Sequence, residues 1–126
     1  MSLTIEVKGI EALRRRLRAL AAENIGLLNA ALVAESELIM TEAKNRTPVL
    51  TGTLRASGYV SEIREGSRYG VRLAFGGPAS GYAIFVHENL GAYHRVGRAK
   101  FLESACLEAI PGLAERIATR MRRRGL

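Results

Sequence analysis

Residues equipped for acid–base, nucleophilic or metal chemistry are few in this chain, and their spacing defeats each familiar arrangement. His87-Glu88 begins like a zinc-protease helix, but position 91 is glycine, so the second histidine of HExxH is missing. The other histidine, His94, fits no set of ligand spacings with His87 and the neighbouring glutamates. Both read as surface or interface residues. Cys106 is the single cysteine, which excludes an intramolecular disulfide. It falls near an apolar helical stripe, where a thiol is a small hydrophobe. No serine sits in a GxSxG setting, and Gly76-Gly77 runs into Pro78 rather than into a helix that could receive a phosphate. Two glutamates can always meet in space, yet no spacing recommends a pair. The expectation is therefore no catalytic residue, no metal and no cofactor, hence not an enzyme.

Charge is the more unusual property. The net charge is +7, 16 of the 19 basic residues are arginine, and all 12 acids are glutamate. Arginine pairs bidentately with carboxylates and phosphates, and a basic balance is open to three readings: nucleic acid, an anionic partner or solubility alone. The basic residues gather in two clusters, Arg14 to Arg18 and Arg116 to Arg124. Neither is interleaved with aromatics as a stacking platform would be, and no zinc-finger, RRM or helix-turn-helix pattern accompanies them, so each reads first as a solvated helix face, then as a contact for an acidic protein, then for DNA phosphate. A basic DNA-binding protein remains the alternative reading.

Composition frames the elements that must carry these residues. With 126 residues, 48% hydrophobic and 25% charged, the chain reads as a single structural domain over 1–126, with a basic C-terminal tail at about 120–126. No apolar run reaches the roughly 20 residues of a bilayer span. The segment MSLTIEVKG lacks the features of a signal peptide, and helix 10–20 lacks aromatic anchors, so no membrane partner is expected and synthesis in the cytoplasm fits.

Leu3 to Val7 alternates as a short strand ending at Gly9. Ile10, Leu13, Leu17 and Leu20 follow at helical spacing, with arginines opposite. The pattern weakens from Glu23 to Gly26, then resumes through Leu28, Leu32, Glu35, Ile39 and Ala43. Pro48 stops it, giving a helix at 25–46. Thr51-Gly52-Thr53 opens one short turn through Leu54 and Arg55. Tyr59 to Phe75 reads as a hairpin, with Tyr59, Ser61 and Ile63 on one face and Val71, Leu73 and Phe75 on the other strand's buried face. Matching those faces requires an odd loop, Gly66 to Arg68, which pairs Tyr59 with Phe75 and Ile63 with Val71. The run Tyr82 to Val86 is apolar and fits helix or strand, and Asn89 to Gly97 looks irregular. A last helix from about Ala99 carries Leu102, Ala105, Ala109 or Ile110, Leu113, Ile117 and Met121, and Pro111-Gly112 kinks or divides it. The fold class expected is α+β: a long N-terminal helix and a C-terminal helix packed on a small antiparallel sheet made of a short N-terminal strand plus a hairpin.

Three segments, in order, carry a resemblance. They are Ala43 to Ser57 (AKNRTPVLTGTLRAS), Tyr82 to Asn89 (YAIFVHEN), and Gly97 to Glu103 (GRAKFLE). Together with an opening I-x-G-x-x-x-L-like pattern over Val7 to Leu17, they resemble the neck and tail-component family of tailed bacteriophages, the group that is minor tail protein Z-like and belongs to the head–tail joining region. The chain departs from the family pattern at His87-Glu88-Asn89, where Glu-x-Gly-Thr is common, and at Ala99-Lys100, where proline is common; both departures bear on the subfamily. The resemblance implies a virion protein of the neck or tail, present in the host cytoplasm during assembly. It implies tail completion or head–tail joining through a homo-oligomeric ring, a hexamer or dodecamer, docked on an adaptor, head-closure, tail-terminator or tail-tube protein, with passing contact to DNA. It implies a short helix at Tyr82 to His87. The subunit-interface candidates it marks are Thr51, Gly52, Leu54, Arg55, Tyr82, Phe85, His87, Glu88, Lys100 and Phe101, with Arg55 pairing either Glu88 or a glutamate of the next subunit. A weakly associating monomer is expected in isolation.

Overall fold

One residue separates the first two helices. In the computed structural model, which describes residues 2–3, 10–47, 52–65, 68–76, 82–86, 93–96 and 100–125, helix α1 spans Ile10–Glu23 and α2 spans Ile25–Arg46. Asn24 between them is extended (φ −164°, ψ 101°), and its side-chain oxygen accepts from the Leu27 N–H at 3.0 Å. An asparagine here satisfies an N–H that the new helix cannot, which is why the weak stretch in the pattern is a sharp break. At the far end Thr47 leaves the helical region (φ −70°, ψ 133°) ahead of Pro48, while its hydroxyl donates to the Ala43 carbonyl.

Helix α3 (Gly52–Ala56) leads to a five-stranded antiparallel sheet in the order β1-β5-β4-β3-β2. The strands are β1 Ser2–Leu3, β2 Tyr59–Glu65, β3 Arg68–Ala74, β4 Tyr82–Val86 and β5 Tyr93–Val96. The α+β class stands, and the sheet gains two strands over the sequence reading. Tyr82 to Val86 is a strand, not the short helix the resemblance implies: its backbone pairs with β3 on one side and β5 on the other. The stretch read as irregular contains β5, which also pairs with β1. Of the predicted N-terminal strand, residues 4–7 lie outside the described residues.

The hairpin register differs from the expected one. Glu65 pairs with Arg68 and Tyr59 with Ala74, so the loop is the two-residue one and Val71 lies opposite Glu62. The reason is which face of β2 turns inward. Val60, not Tyr59 or Ile63, packs on the core, and Tyr59 is 47% exposed. Gly58 sits where the buried Phe75 needs room: a Cβ there would lie 2.7 Å from Phe75 Cε1 and 2.9 Å from both Met40 Sδ and Lys44 Cε. A strand whose inner face begins with the absence of a side chain does not announce that face by alternation.

The last helical segment is divided as expected. Helix α4 is Lys100–Ala109 and α5 is Leu113–Arg123, with Gly112 between them in the left-handed region (φ 81°). Helix α2 packs against α1, α4, α5 and strands β2 and β3, so the helices form a layer against the sheet. The core between them includes Leu17, Leu20, Leu28, Leu32, Leu73, Phe75, Leu102, Leu113, Ile117 and Met121. Cys106 is fully buried among them, and burial, then the Glu103 charge, pushes its thiol up to about 12. That is the small buried hydrophobe expected from its position.

Candidate functional site

The segments singled out by sequence converge at one pole of the molecule, where α2 ends. Half-buried Arg55 of α3 reaches back and donates through Nη2 to the Thr47 carbonyl at 3.0 Å, one of the carbonyls that α2 leaves without a helical partner. Leu54, also half-buried, packs on the core beside it. Arg46, in the last turn of α2, donates to Ser104 Oγ of α4 at 2.9 Å and to Glu42 at 3.0 Å, and is paired with Glu108. Hydrogen bonding to Glu42, then to Glu108, raises the Arg46 pKa. The start of α4 is held just past the end of β3 by Phe101, whose ring stands edge-on to Phe75 at 5.0 Å. Tyr82 pairs in register with Ala74, next to Phe75, so β4 begins at the same pole.

Several predicted interface residues are thus brought together: Gly52, Leu54 and Arg55 in α3, Tyr82 at the start of β4, and Phe101 at the start of α4. Lys100 is exposed at the same helix end, 3.9 Å from Glu103. Phe85 is further along β4, paired with Val71. Thr51, His87 and Glu88 lie outside the described residues. Arg55 spends one donor on Thr47. Sequence reasoning placed Tyr59, Phe75 and Thr47 in elements or segments but not in the site, and did not single out Gly58; all four build the pole. Only Gly58, placed just before a strand, offered a signal, since a glycine there marks close approach of another group.

A second feature lies away from this pole. Glu35 of α2 is almost fully buried, and Arg116 and Arg120 of α5 donate to it through Nε at 2.8 and 2.6 Å. Arg116 also donates to the Ala109 and Pro111 carbonyls, closing the α4–α5 turn where the proline supplies no N–H. The two arginine clusters are brought together as well, since α1 packs on α5 and Arg16 pairs with Glu115 at 3.3 Å.

Among the described residues no group of three His, Cys or Glu side chains is placed to hold a metal. No helix among them is long and apolar enough to cross a membrane. No protein-family model, no curated protein and no solved structure matches the chain.

Proposed function

We propose that the protein is a structural subunit of the bacteriophage head–tail connection, assembling into a homo-oligomeric ring and docking on neighbouring neck or tail proteins. The observation that supports this reading is convergence. The TG-L-R, Y-A and K-F-L segments that carry the family resemblance are far apart in sequence, yet they meet around the end of α2. There Leu54, Arg55 and Phe101 are half-buried, and Lys100 and Tyr59 are exposed. Semi-exposed apolar side chains beside charged groups, held on helix and strand ends, suit a head-to-tail contact between copies. The function is mechanical and involves no reaction. The test is an assembly reaction in which Arg55→Glu or Tyr59→Arg replaces the wild type, with tailed and tailless heads counted by negative-stain electron microscopy. Accumulation of tailless heads is expected; unchanged tail attachment refutes the reading.

The second reading, a basic DNA-binding protein, is favoured by the packing of the two arginine clusters on adjacent helices. It requires that the purified protein bind duplex DNA with an affinity falling steeply with salt. A concentration-dependent ring without DNA affinity decides for the first.

A further inference from the structure

A groove of about 410 Å³ runs between α2 and α5, lined by Glu35, Leu38, Glu115, Arg116, Thr119, Arg120 and Arg123. We propose that it is a docking site for an acidic segment of a partner protein, one that presents carboxylates along a stripe with an apolar side chain between them.

Three observations carry this. The first is preorganisation. Glu35 is held beneath the groove floor, 4% exposed, and it fixes Arg116 and Arg120 through their Nε atoms. Ordering a long arginine side chain costs free energy on binding, and here Glu35 has already imposed the order. The second is unspent donor capacity. Both acids of the lining are engaged, Glu35 by the two arginines and Glu115 by Arg16. The outer nitrogens of Arg120 and the whole guanidinium of Arg123 have no partner among the described residues. These donors suit a bidentate carboxylate. The third is Leu38, 57% exposed on the groove wall. An apolar anchor beside arginines fits a protein segment, which brings a side chain to bury on it; a phosphate backbone brings none. Charge also selects the partner. At this arginine-lined face another copy, of net charge +7, meets like charge, whereas an acidic protein is attracted. The proposal does not rest on the virion reading, because the groove lies away from the α3 pole.

The probe is a fluorescently labelled amphipathic helical peptide with glutamates along one stripe and a central leucine, titrated with the full-length protein and read by anisotropy. Saturable binding is expected. Arg123→Glu should weaken it about tenfold, and Leu38→Ala or a Leu→Gln peptide about fivefold. Arg15→Glu, exposed on α1, should leave it within about twofold. All three positions are exposed, and circular dichroism checks that the variants fold. Absence of saturable binding overturns the proposal. So does equal weakening by Arg15→Glu and Arg123→Glu with no dependence on Leu38, which is diffuse charge attraction. Tighter binding of a duplex DNA oligonucleotide that depends on Arg123 also overturns it and assigns the face to nucleic acid.

Discussion

Glu35 is the residue on which two helices depend. Its place on the apolar stripe of α2, between Leu32 and Ile39, was legible from spacing alone, but its partners were not, because Arg116 and Arg120 are some 80 positions away and helical periodicity says nothing about what faces a stripe. A carboxylate this buried is stabilised only while it is paired. Each arginine is partly exposed and can return to water, so the single variants Arg116→Ala and Arg120→Ala leave Glu35 with one charge-assisted bond and cost little. Arg116→Ala is the worse of the two, since it also frees the carbonyls of the α4–α5 turn. The double variant strands the carboxylate and should cost about 3–5 kcal/mol, more than the sum of the singles. Urea denaturation of the four proteins measures this, and simple additivity would contradict it. Cys106 gives a second residue-scale expectation. Burial raises its thiol from 9.0 to about 12, so the folded state keeps a proton that the unfolded chain releases. The associated stability is intact below pH 9 and is lost as pH rises towards about 12, at about 1.4 kcal/mol per unit at most. Urea midpoints of wild type and Cys106→Ala, compared from neutral to alkaline pH, should show the shallower decline in the variant; parallel declines would count against it.

At the scale of elements, punctuation decided what could be read. Pro48 and the run of apolar spacings bound α2 at its observed ends, and Pro111-Gly112 divided the last helix, because both signals are local and steric. The hairpin was misread because the face of β2 is decided by tertiary packing: Gly58 opens space for Phe75, Val60 packs inward, and the larger Tyr59 and Ile63 lie on the other side. The added strands β4 and β5 are short, and their pairing is non-local, so a run of five apolar residues left helix and strand equally open. The candidate pole was legible only as motif segments; the contacts that join them, Arg55 to the Thr47 carbonyl and Phe101 to Phe75, are tertiary and leave no mark on spacing. Gly58→Ala places a methyl against the Phe75 ring, Met40 and Lys44. Lys44 and Met40 have flexible ends that can yield, but Phe75 is fully buried and pinned by Phe101. The cost should be about 1–3 kcal/mol by overpacking. If the odd-loop register held instead, Gly58 would not face Phe75, and alanine there would be nearly neutral in the same urea measurement.

The whole molecule carries its charge unevenly. Among the described residues Arg15 and Arg18 on α1 and Arg122, Arg123 and Arg124 at the end of α5 are exposed and make no ion pair, and α1 packs on α5. The surface pairs that do form, such as Arg14 with Glu11 and Arg64 with Glu62, are exposed on at least one side and contribute about 0–1 kcal/mol each. The α5 arginines gain something from the helix C-terminus, but that gain, like the pairs, is short-ranged. Repulsion across the arginine side is the longer-ranged effect, and salt screens it first, the Debye length being about 10 Å at 0.1 M. Repulsion should therefore outweigh the surface pairs in a chain of net charge +7. Raising sodium chloride from about 0.05 to about 0.5 M, over which screening shortens to a few ångström, should move the urea midpoint upward by the equivalent of about 0.5–1 kcal/mol. The buried Glu35 cluster is shielded from ions and should not reverse that sign. Arg123→Glu, which removes one of the repelling charges, should flatten the salt dependence. A midpoint that falls with salt would mean that attractive pairs dominate the surface.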